Sequence, residues 1–541
     1  MKMIFEVDHL SLTYDQHPQP VLKDINLNVA QGDSVLVLGP SGSGKSSLVH
    51  CLTGLYPEEL DGTMTGTVKI AGKDACTYKP GEAAKKVGVV FQDPETQFCM
   101  LTVEEEVAFG LENLAVPPSQ MQDLIEQALS WVGLEQYKKE KIHVLSGGQK
   151  QKLALACTLV MEPDVLILDE PTANLDPVSA REFIEILSEI KRKRKLTLVV
   201  IEHRLEGWLS LLTRVIVLEK DGHMFSEGPL LKNLKTYGPT LMKEGVWLPY
   251  SARTAMALGW KGKLPLSIDE YVSLPIPLPA PEIKKPATEG TLLSANNVAW
   301  KEVLHNIHLD IHPEEWVAVV GANGSGKSSL SKLLAGIIKP SNGDVAFKGR
   351  SITRWKEKLL RREIGYVFQN PEHQFITDSV FEEVSYSLKE REMDEQETKE
   401  IVRKTLLLCQ LEGLEHSHPF LLSQGQKRRL SVATMLVLDV NLLILDEPTF
   451  GQDAGSTESL MQILKEKHDQ GTSIIMITHD MELVDRFATR TIVIQEGGIQ
   501  WDGPTEELWE IESLEDYHLE TPPRLQLTSS RDAKERTHVF S

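Results

Sequence analysis

The amino-acid sequence contains one long series of motifs twice. FQDPETQF at residues 91–98 returns as FQNPEHQF at residues 368–375, so that Gln92 corresponds to Gln369 after 277 positions (369 minus 92). The same spacing joins the segment LSGGQ, which begins at Leu145, to LSQGQ, which begins at Leu422. This period is far longer than the roughly 20 to 50 residues of solenoid repeats. Each copy should therefore fold as an independently packed domain.

A proline-rich stretch, residues 264–290, separates the two copies and shows neither helical nor strand periodicity. Such a composition predicts an extended linker. Residues 228–263 are compatible with helices and have no good match in the second copy. We therefore predict a first domain at 1–227, an appended helical subdomain at 228–263, the Pro-rich linker at 264–290, a second domain at 291–518, and a polar, frayed C-terminal tail at 519–541.

Composition and charge argue against several classes of function. The formal net charge of −21 repels nucleic-acid phosphates, so we expect no nucleic-acid partner. The five cysteines include no CxxC pair, which argues against a zinc site or a disulfide framework and favours buried, reduced thiols. Apolar runs such as 165–168 are far shorter than the ~20 residues of a membrane-spanning helix, and the N-terminus does not resemble a signal peptide. We expect a protein that is neither secreted nor membrane-spanning, and we interpret these runs as buried parallel strands.

Each copy contains a glycine-rich loop between a strand and a helix. The apolar run SVLVL precedes GPSGSGKS at residues 39–46, and WVAVV precedes GANGSGKS at residues 321–328. Glycines let successive backbone N–H groups point at phosphate oxygens, and the helix N-terminus favours an anion. The lysine reaches the β- and γ-phosphates, and the serine after it can ligate Mg²⁺. The predicted phosphate-binding residues are Gly39, Ser41, Gly42, Gly44, Lys45, Ser46 and Ser47 in the first copy and Gly321, Asn323, Gly324, Gly326, Lys327, Ser328 and Ser329 in the second.

Two acidic residues end a buried strand in each copy. VLILDE ends at Asp169 and Glu170, and LLILDE ends at Asp446 and Glu447. Ligands of α/β sheets collect at the carboxyl ends of the strands. The first acid is predicted to hold Mg²⁺ through water, and the second to act as the general base for an attacking water. Because the glutamate is present in both copies, the sequence predicts two hydrolytic sites.

Histidine and glutamine residues complete this predicted centre. A further strand ends at His203 in the first copy and at His479 in the second, where an imidazole can contact the γ-phosphate and the catalytic water. Gln92 and Gln369 follow the strands VGVVF and IGYVF, where a neutral amide can sense Mg²⁺ and the same water. The predicted catalytic residues are Glu170, Glu447, His203, His479, Gln92 and Gln369, and the predicted metal-binding residues are Ser46, Gln92, Asp169, Ser328, Gln369 and Asp446.

Together with these motifs, the segment LSGGQ at residues 145–149 makes both copies resemble ABC ATPase domains that use ATP and Mg²⁺. The resemblance implies an α/β fold with two tandem P-loop NTPase (ABC ATPase) domains. Each domain would have a mostly parallel core sheet, an antiparallel β subdomain and a helical signature subdomain. It also implies an intramolecular pair of nucleotide-binding domains that forms two composite ATP sites. The signature residues would be Ser146, Gly148 and Gln149, closing on ATP at Lys327, and Ser423, Gly425 and Gln426, closing on ATP at Lys45.

The sequence departs from the family pattern at two places. Gln424 replaces the first glycine of the second signature, where its side chain could crowd the phosphate or point away, so we expect somewhat unequal sites. Tyr14 suits the aromatic residue that stacks on adenine in this family. The corresponding loop of the second copy is shorter, which leaves Trp300 either as the stacking residue or as a strand residue.

Within the ABC ATPases, the chain is similar to the energy-coupling factor (ECF) type of prokaryotic vitamin and metal uptake. FQDPETQF, TVEEEVAFGLENL at 102–114 and the appended subdomain carry this likeness. It implies a transmembrane coupling subunit whose arginine-bearing helices enter a groove in this region, and a separate substrate-binding membrane protein. The chain would lie peripherally at the cytoplasmic face of the cell membrane. Acids that suit a basic guest by charge are Glu104, Glu105, Glu106, Glu382 and Glu383.

Two alternative functions are open to a tandem ABC protein. A soluble factor acting on ribosomes would resemble two domains joined by a long, charged helical linker, and a charge of −21 suits ribosomal RNA poorly. A sugar-importer ATPase typically has an altered second phosphate loop, whereas the loop at 321–328 is intact. The ECF importer is therefore favoured. Its substrate stays open among a thiamine precursor, which the tandem fusion faintly favours, another vitamin, cobalt and nickel, and the stoichiometry with membrane subunits also stays open.

Overall fold

The chain folds into two compact units. The computed structural model describes residues 2–15, 19–55, 62–79, 81–389 and 393–539. Unit 1 comprises Met1–Ile276 and unit 2 comprises Pro277–Ser541. The division between them falls inside the stretch for which the sequence predicts the linker.

Unit 1 combines a mostly parallel sheet with an antiparallel sheet. Its strands are β1 (Met3–Tyr14), β2 (Leu22–Ala30), β3 (Ser34–Leu38), β4 (Gly62–Ile70), β5 (Lys73–Asp74), β6 (Val87–Val90), β7 (Val165–Asp169), β8 (Thr197–Ile201), β9 (Arg214–Leu218) and β10 (Met224–Pro229). One sheet has the order β10-β9-β3-β8-β7-β6, in which β10 pairs antiparallel with β9 and the others run parallel. The other has the order β2-β1-β4-β5 and is antiparallel.

The parallel strands are apolar on both faces because both faces are covered. β3, β7 and β8 are buried at every position, as parallel strands between two packed layers must be. Alternate side chains enter different cores. Leu36 and Leu38 pack into the core that contains most of the helices, whereas Val35 and Val37 pack into the core shared with the antiparallel sheet.

The helices of unit 1 include a group that forms a subdomain beside the sheet. Within this group, α2 packs against α3 and α4, and α3 packs against α4, through residues such as Val107, Leu129 and Leu155. The helices are α1 (Lys45–Leu52), α2 (Val103–Asn113), α3 (Pro118–Val132), α4 (Gly147–Leu159), α5 (Pro177–Lys193), α6 (Leu230–Lys243), α7 (Tyr250–Ala257) and α8 (Ile268–Val272).

The segment predicted as an appended subdomain is helical and packs on unit 1 itself. Leu234 and Leu241 of α6, together with Leu248, belong to the same hydrophobic core as the helices α2 to α4. The beginning of the predicted linker is also folded, since Tyr271 of α8 and Ile276 are buried. The prediction of an extended linker is therefore wrong for residues 268–272.

Unit 2 repeats this architecture, and the predicted fold class is confirmed. Its sheets have the orders β12-β11-β14-β15 and β16-β17-β18-β13-β19-β20. The strands are β11 (Leu293–Trp300), β12 (Leu304–Ile311), β13 (Trp316–Val320), β14 (Asn342–Phe347), β15 (Arg350–Ser351), β16 (Ile364–Val367), β17 (Leu442–Asp446), β18 (Ser473–Ile477), β19 (Arg490–Gln495) and β20 (Gly498–Pro504). The helices are α9 (Lys327–Leu334), α10 (Glu357–Leu360), α11 (Val380–Lys389), α12 (Glu395–Leu408), α13 (Gln424–Leu436), α14 (Ala454–Asp469), α15 (Met481–Phe487), α16 (Thr505–Leu508) and α17 (Pro523–Val539).

The helices of both units are too short or too polar to cross a membrane. Within the part of the chain that the structure describes, no helix combines the length and the apolar character that a membrane span needs. This agrees with the short apolar runs of the sequence.

The C-terminal segment is folded onto unit 2. The sequence predicts a frayed tail from residue 519, but α17 covers most of it and the prediction is wrong there. Leu527 is fully buried. Arg524 donates two hydrogen bonds to Asp485 of α15, from Nε to Oδ2 at 2.7 Å and from Nη2 to Oδ1 at 2.8 Å. The polar composition concealed this helix, which an ion pair helps to anchor together with the buried Leu527.

Two of the five cysteines are exposed, contrary to the expectation of buried thiols. Cys76 and Cys99 lie at the surface, whereas Cys51 and Cys409 are buried and Cys157 is partly buried. Burial raises the pKa of the Cys51 and Cys409 thiols to about 12. Thiolate reactivity is therefore suppressed at these two buried positions.

Replacing Arg524 by alanine should release α17 from unit 2. Asp485, which is 7% exposed in the intact protein, would lose its bidentate partner, and breaking such a buried pair should cost about 3 kcal/mol or more. We expect faster amide hydrogen exchange over residues 523–539 and a lower unfolding midpoint. Arg536→Ala, which removes an exposed arginine of the same helix, is the matched control. Unchanged protection of 523–539 in Arg524→Ala would show that the ion pair does not hold the helix.

Candidate active site

The glycine-rich loop of each unit wraps around its own lysine. In unit 1 the loop joins β3 to α1, and Nζ of Lys45 donates to the backbone oxygens of Gly39 at 2.9 Å and Pro40 at 3.0 Å. In unit 2, Nζ of Lys327 donates to the backbone oxygen of Gly321 at 2.9 Å. Both lysine side chains are buried at the first residue of a helix. Each ammonium group thus adds its charge to a helix N-terminus, which favours a bound anion.

The first glycine of each loop is required by a close backbone approach. Gly39 has φ +155°, and a Cβ built on it would lie 2.7 Å from the backbone oxygen of Leu218 in β9. Gly321 has φ +137°, and its Cβ would lie still closer to the backbone oxygen of Ile494 in β19. A side chain cannot be accommodated at either position without moving a strand.

The serine after each lysine contacts the first acid of the predicted centre. Ser46 hydrogen bonds to Asp169, and Ser328 hydrogen bonds to Asp446. Burial, followed by the charge of Glu170, raises the pKa of Asp169 to about 6, and burial likewise raises the pKa of Asp446. The Oδ1 atoms of both aspartates have no hydrogen-bond partner among the described residues. An all-oxygen donor set with an unsatisfied buried carboxylate oxygen fits Mg²⁺.

Unit 1 brings together the predicted glutamine, glutamate and histidine. Nε2 of Gln92 donates to Oε2 of Glu170 at 2.9 Å, and Nε2 of His203 lies 2.9 Å from Oε1. Burial pushes the pKa of Glu170 upward, but the charge and hydrogen bond of His203, with the charge of Lys45, outweigh it and leave this pKa below its ordinary value. Glu170 has φ +47°, a left-handed conformation that few non-glycine residues adopt.

Unit 2 brings only part of this group together. Glu447 has φ +51°, and Nδ1 of His479 lies 3.0 Å from its Oε2. Gln369 is exposed, and in the part of unit 2 that the structure describes no hydrogen bond joins its side chain to Glu447. The two units therefore share a glutamate–histidine pair but hold the glutamine differently.

A tyrosine that the sequence interpretation missed lies at the second site. Tyr366 of β16 donates its hydroxyl to Oδ2 of Asp446 at 3.4 Å and lies 3.0 Å from Oγ of Ser331. Burial raises the pKa of this phenol, and the charge of Asp446 adds to the effect. Its counterpart in unit 1 is Val89. A tyrosine within the strand IGYVF is typical of a core residue, so the sequence offered no signal for this role.

Unit 1 also has a buried acid that the motifs do not include. Glu202, next to His203, accepts hydrogen bonds at Oε1 from the backbone N (3.1 Å) and Oγ1 (2.6 Å) of Thr172. Burial raises its pKa to about 8, although the Thr172 hydrogen bonds oppose the shift. Thr478 occupies the corresponding place in unit 2. Glu202 thus links the end of β8 to the segment after Glu170. In the sequence, only its position directly before His203 indicated this residue.

The signature segments begin helices in both units. Ser146 caps α4 by accepting from the backbone N of Gln149 at 3.3 Å, while Oε1 of Gln149 accepts from the backbone N of Ser146 at 2.8 Å. Ser423 and Gln426 form the same reciprocal capping box on α13. Gln424 lies in the first turn of α13 with its side chain exposed. The replaced glycine therefore does not disturb the helix start.

The two candidate adenine-stacking residues have different surroundings. The hydroxyl of Tyr14 lies 2.8 Å from Oγ of Ser47, which sets the phenol beside the phosphate loop. Trp300 ends β11, pairs with Leu304 and carries Nζ of Lys301 at 4.5 Å above its ring. Base stacking by either residue stays a prediction.

Two of the five acids predicted to attract a basic partner are structural. Glu106 accepts from the backbone N of Cys99 at 2.9 Å and of Met100 at 2.7 Å, and it is buried. Glu383 is also buried and accepts from the backbone N of Ile376 and Thr377. The prediction is therefore wrong for Glu106 and Glu383, whose carboxylates hold the loop in front of their own helices.

Exposed apolar side chains lie in the same region and were missed. Leu101 is 78% exposed and Ile376 is 64% exposed. Val144 of unit 1 and Phe420 and Leu421 of unit 2 are exposed as well. We name Leu101 and Val144 the docking rim of unit 1, and Ile376, Phe420 and Leu421 the docking rim of unit 2. Groups of exposed apolar side chains are typical of binding surfaces.

The chain is similar to known proteins over most of its length. The model of the ABC transporter family matches residues 22–173 and 304–450. YkoD of Bacillus subtilis (strain 168), provisionally named an HMP/thiamine import ATP-binding protein, is 42% identical over 94% of this chain and 93% of its own. A provisionally named ABC transporter ATP-binding protein of Methanosarcina mazei is 37% identical over 93% of this chain and 89% of its own. The solved structure of cbiO1 from Clostridium perfringens, described as part of the ABC transporter complex cbiONQ, is 30% identical, covers 45% of this chain and 100% of its own, and gives a TM-score of 0.39.

Replacing Glu202 by glutamine should stabilise the protein at neutral and higher pH. The folded pKa lies above the unfolded value, so the stability linked to this group is complete below its ordinary pKa of 4.5 and is lost as the pH rises through about 8. Glutamine keeps an acceptor for Thr172 without the charge, and we expect a gain of about 1 to 3 kcal/mol at pH 8 that vanishes near pH 5.

Unfolding midpoints at both pH values measure this effect. Glu206→Gln, which neutralises an exposed glutamate of the same segment, is the control and should change neither midpoint. A loss of stability in Glu202→Gln at pH 8 would show instead that unit 1 requires the ionised carboxylate.

Proposed function

Because the chain belongs to the ABC transporter ATP-binding family, we propose that it is the ATP-hydrolysing, energy-coupling subunit of an ECF-type membrane importer. Binding and hydrolysis of ATP and a place in an importer follow from the family and from the YkoD relative. The ECF type, the composite sites and the residue roles are the proposal. The observation that carries the proposal is the left-handed glutamate held by a histidine beside a phosphate loop in each unit.

The proposed chemistry uses the same residue types in both units. The loop amides and the lysine would bind the β- and γ-phosphates of ATP, and the lysine would exchange its loop carbonyl partners for phosphate oxygens. Mg²⁺, held by Ser46, Asp169 and Gln92 in unit 1 and by their counterparts in unit 2, would neutralise charge on the phosphates. Glu170 or Glu447 would accept a proton from the attacking water, and the lowered pKa of Glu170 keeps that carboxylate ionised at neutral pH.

We further propose that each signature segment completes the site of the other unit. Ser146 and Ser423 are exposed at the positive N-terminal ends of α4 and α13, and the buried Gly148 and Gly425 follow them in the first turn. Such ends suit a γ-phosphate. Binding of two ATP molecules would then draw the units together, and hydrolysis would release them.

The partner would be a transmembrane coupling subunit, with a separate membrane protein selecting the substrate. The docking rim of each unit offers apolar contact area. Glu105 of unit 1 and Glu382 of unit 2 are exposed, so their carboxylates remain available to basic groups. We propose a peripheral position at the cytoplasmic face of a prokaryotic cell membrane. The name of YkoD supports HMP or thiamine as the imported substrate class, and it also weighs against the ribosome-bound alternative.

Glu170→Gln and Glu447→Gln, made separately, test the two hydrolytic sites. A general base contributes about 10²- to 10⁴-fold to rate, so each variant should lose most turnover at its own site and retain bound ATP. Steady-state phosphate release and the nucleotide content of the purified protein measure these effects. Full activity in either variant would contradict the proposal of two hydrolytic glutamates.

Leu101→Asp and Ile376→Asp test the docking rims of unit 1 and unit 2. Both side chains are exposed, so the charge should leave folding and the ATP hydrolysis of the isolated protein intact while preventing apolar docking. Co-purification of membrane subunits from the native host is the measurement. Ile283→Asp, at a 97% exposed apolar residue outside both rims, is the control. Undiminished co-purification in both rim variants would remove these surfaces from the proposal.

A further inference from the structure

The segment that carries the catalytic-site glutamine, which we name the glutamine loop, is residues 91–98 in unit 1 and 368–375 in unit 2. In unit 2, the side chain of Arg428 in α13 hydrogen bonds to the backbone of this loop. Its Nη1 donates to the backbone oxygen of Phe368 at 2.6 Å, and its Nη2 donates to that of Gln369 at 2.5 Å. Arg428 is 2% exposed. The two backbone carbonyls that flank the Cα of Gln369 are thus both bonded to α13, the helix that begins with the signature.

The far end of the same loop is bonded to the same helix. Nε2 of Gln374 donates to the backbone oxygen of Ser431 at 2.9 Å, and Oγ of Ser431 donates to Oε1 of Gln374 at 2.8 Å. Gln374 also hydrogen bonds to the hydroxyl of Thr434. Both residues lie on α13. The glutamine loop of unit 2 is therefore bonded to its signature helix near both of its ends.

In the glutamine loop of unit 1, the backbone around Gln92 is bonded to other partners. Nδ2 of Asn174, four residues after Glu170, donates to the backbone oxygen of Gln92 at 3.0 Å. Gln97 accepts from the backbone N of Phe91 at 3.0 Å and donates to the backbone oxygen of Val89, in β6, at 3.1 Å. Val89 belongs to the sheet and Asn174 to the segment after the catalytic glutamate, whereas the bond between Phe91 and Gln97 lies within the loop.

The sequence difference behind this contrast is a reciprocal exchange. Gln151 stands in unit 1 where Arg428 stands in unit 2, and its buried Nε2 has no hydrogen-bond partner among the described residues. Gly451 stands in unit 2 where Asn174 stands in unit 1, so unit 2 has no side chain for that bond. Both units share one further contact, the ion pairs Lys150–Glu95 and Lys427–Glu372. These join each loop to its signature helix in both units, so the difference between the units lies in the hydrogen bonds of Arg428 and Asn174.

We propose that the glutamine loop of unit 2 moves with its signature helix, whereas that of unit 1 stays with the catalytic strand end. A displacement of the helical subdomain would then carry Gln369 toward or away from Asp446 and Glu447 while Gln92 remains on Glu170. Arg428 and Asn174 are the positioning residues. The proposal rests on the proposed function, because a coupling subunit bound to the helical subdomain would supply this displacement.

The charge of Arg428 is consistent with this position. Burial lowers its pKa to about 10, and the carboxylates of Glu447 and Asp446 act in the opposite direction. The guanidinium therefore stays protonated at neutral pH and lies within electrostatic reach of both acids. Unit 1 has the neutral Gln151 in its place, so the two hydrolytic centres also differ in local charge.

Amide hydrogen exchange in the nucleotide-free protein tests the anchoring directly. Arg428→Gln introduces the residue that unit 1 carries at this place, so the fold should tolerate it. Losing hydrogen bonds from a charged donor should raise exchange over residues 366–374 by about tenfold. Asn174→Gly should raise exchange over residues 91–97 instead. Arg429→Gln is the matched control, because Arg429 of the same helix donates to Ser456 and not to the loop.

Turnover with one hydrolytic glutamate at a time tests the catalytic consequence. In a Glu170→Gln background, Arg428→Gln should raise the Mg²⁺ concentration for half-maximal ATP hydrolysis severalfold, since Gln369 is the proposed Mg²⁺ sensor of that site. Arg429→Gln should not raise it. A purely structural defect would lower the unfolding midpoint and the maximal rate without changing the Mg²⁺ concentration for half-maximal ATP hydrolysis.

Two results would overturn the proposal: unchanged exchange over 366–374 in Arg428→Gln, or raised exchange with an unchanged Mg²⁺ dependence. Failure of the proposed function gives a different signature. Hydrolysis that persists in a protein carrying both Glu170→Gln and Glu447→Gln would refute the two-glutamate centre. The exchange measurement needs no turnover and would still decide the anchoring.

Discussion

The contact between the first loop glycine and the neighbouring parallel strand fixes the geometry of each unit. Gly39 lies against the backbone of Leu218 in β9, and Gly321 lies against Ile494 in β19. Because β3 lies between β9 and β8, and β7 follows β8, the loop and the acidic end of β7 lie at the same edge of the sheet, and the equivalent strands of unit 2 have the same order. β10 pairs with β9 at one edge of this sheet, and the antiparallel sheet shares a hydrophobic core with one of its faces. The order of strands thus determines which side chains can meet, and the glycine determines how closely the loop approaches them.

The sequence predicted the features that depend on local pattern. Strand–loop–helix transitions around Lys45 and Lys327, acids at strand ends and the duplicated architecture all follow from short-range residue spacing. Features that depend on burial were missed or misassigned. Glu106 and Glu383 look like surface charges in an acidic helix start, yet each satisfies backbone N–H groups of a preceding loop. Residues such as Glu202 acquire their roles only when distant strands meet, which spacing alone cannot show.

Duplication preserved the strand ends of the two units more closely than the hydrogen bonds around them. The glutamate conformation is nearly the same, with φ of +47° for Glu170 and +51° for Glu447. The surrounding polar groups differ, since Glu202 is replaced by Thr478 and Val89 by Tyr366. In a buried hydrogen-bond network every donor and acceptor needs a partner, so replacing one residue changes which neighbouring residues the site can accommodate. The two halves are therefore best regarded as one architecture with two separately adjusted polar interiors.

The exposure of Cys99 gives unit 1 a chemical handle that unit 2 lacks. Its backbone N is fixed by Glu106, and the residue follows the glutamine loop directly, while the corresponding residue of unit 2 is Ile376. The thiols of Cys51, Cys157 and Cys409 are protected by burial and raised pKa. Once Cys76 is replaced by serine, a maleimide fluorophore or nitroxide would attach at Cys99, beside Leu101. The natural sequence is thus almost a single-cysteine reporter, placed where one half of the molecule can be observed without the other.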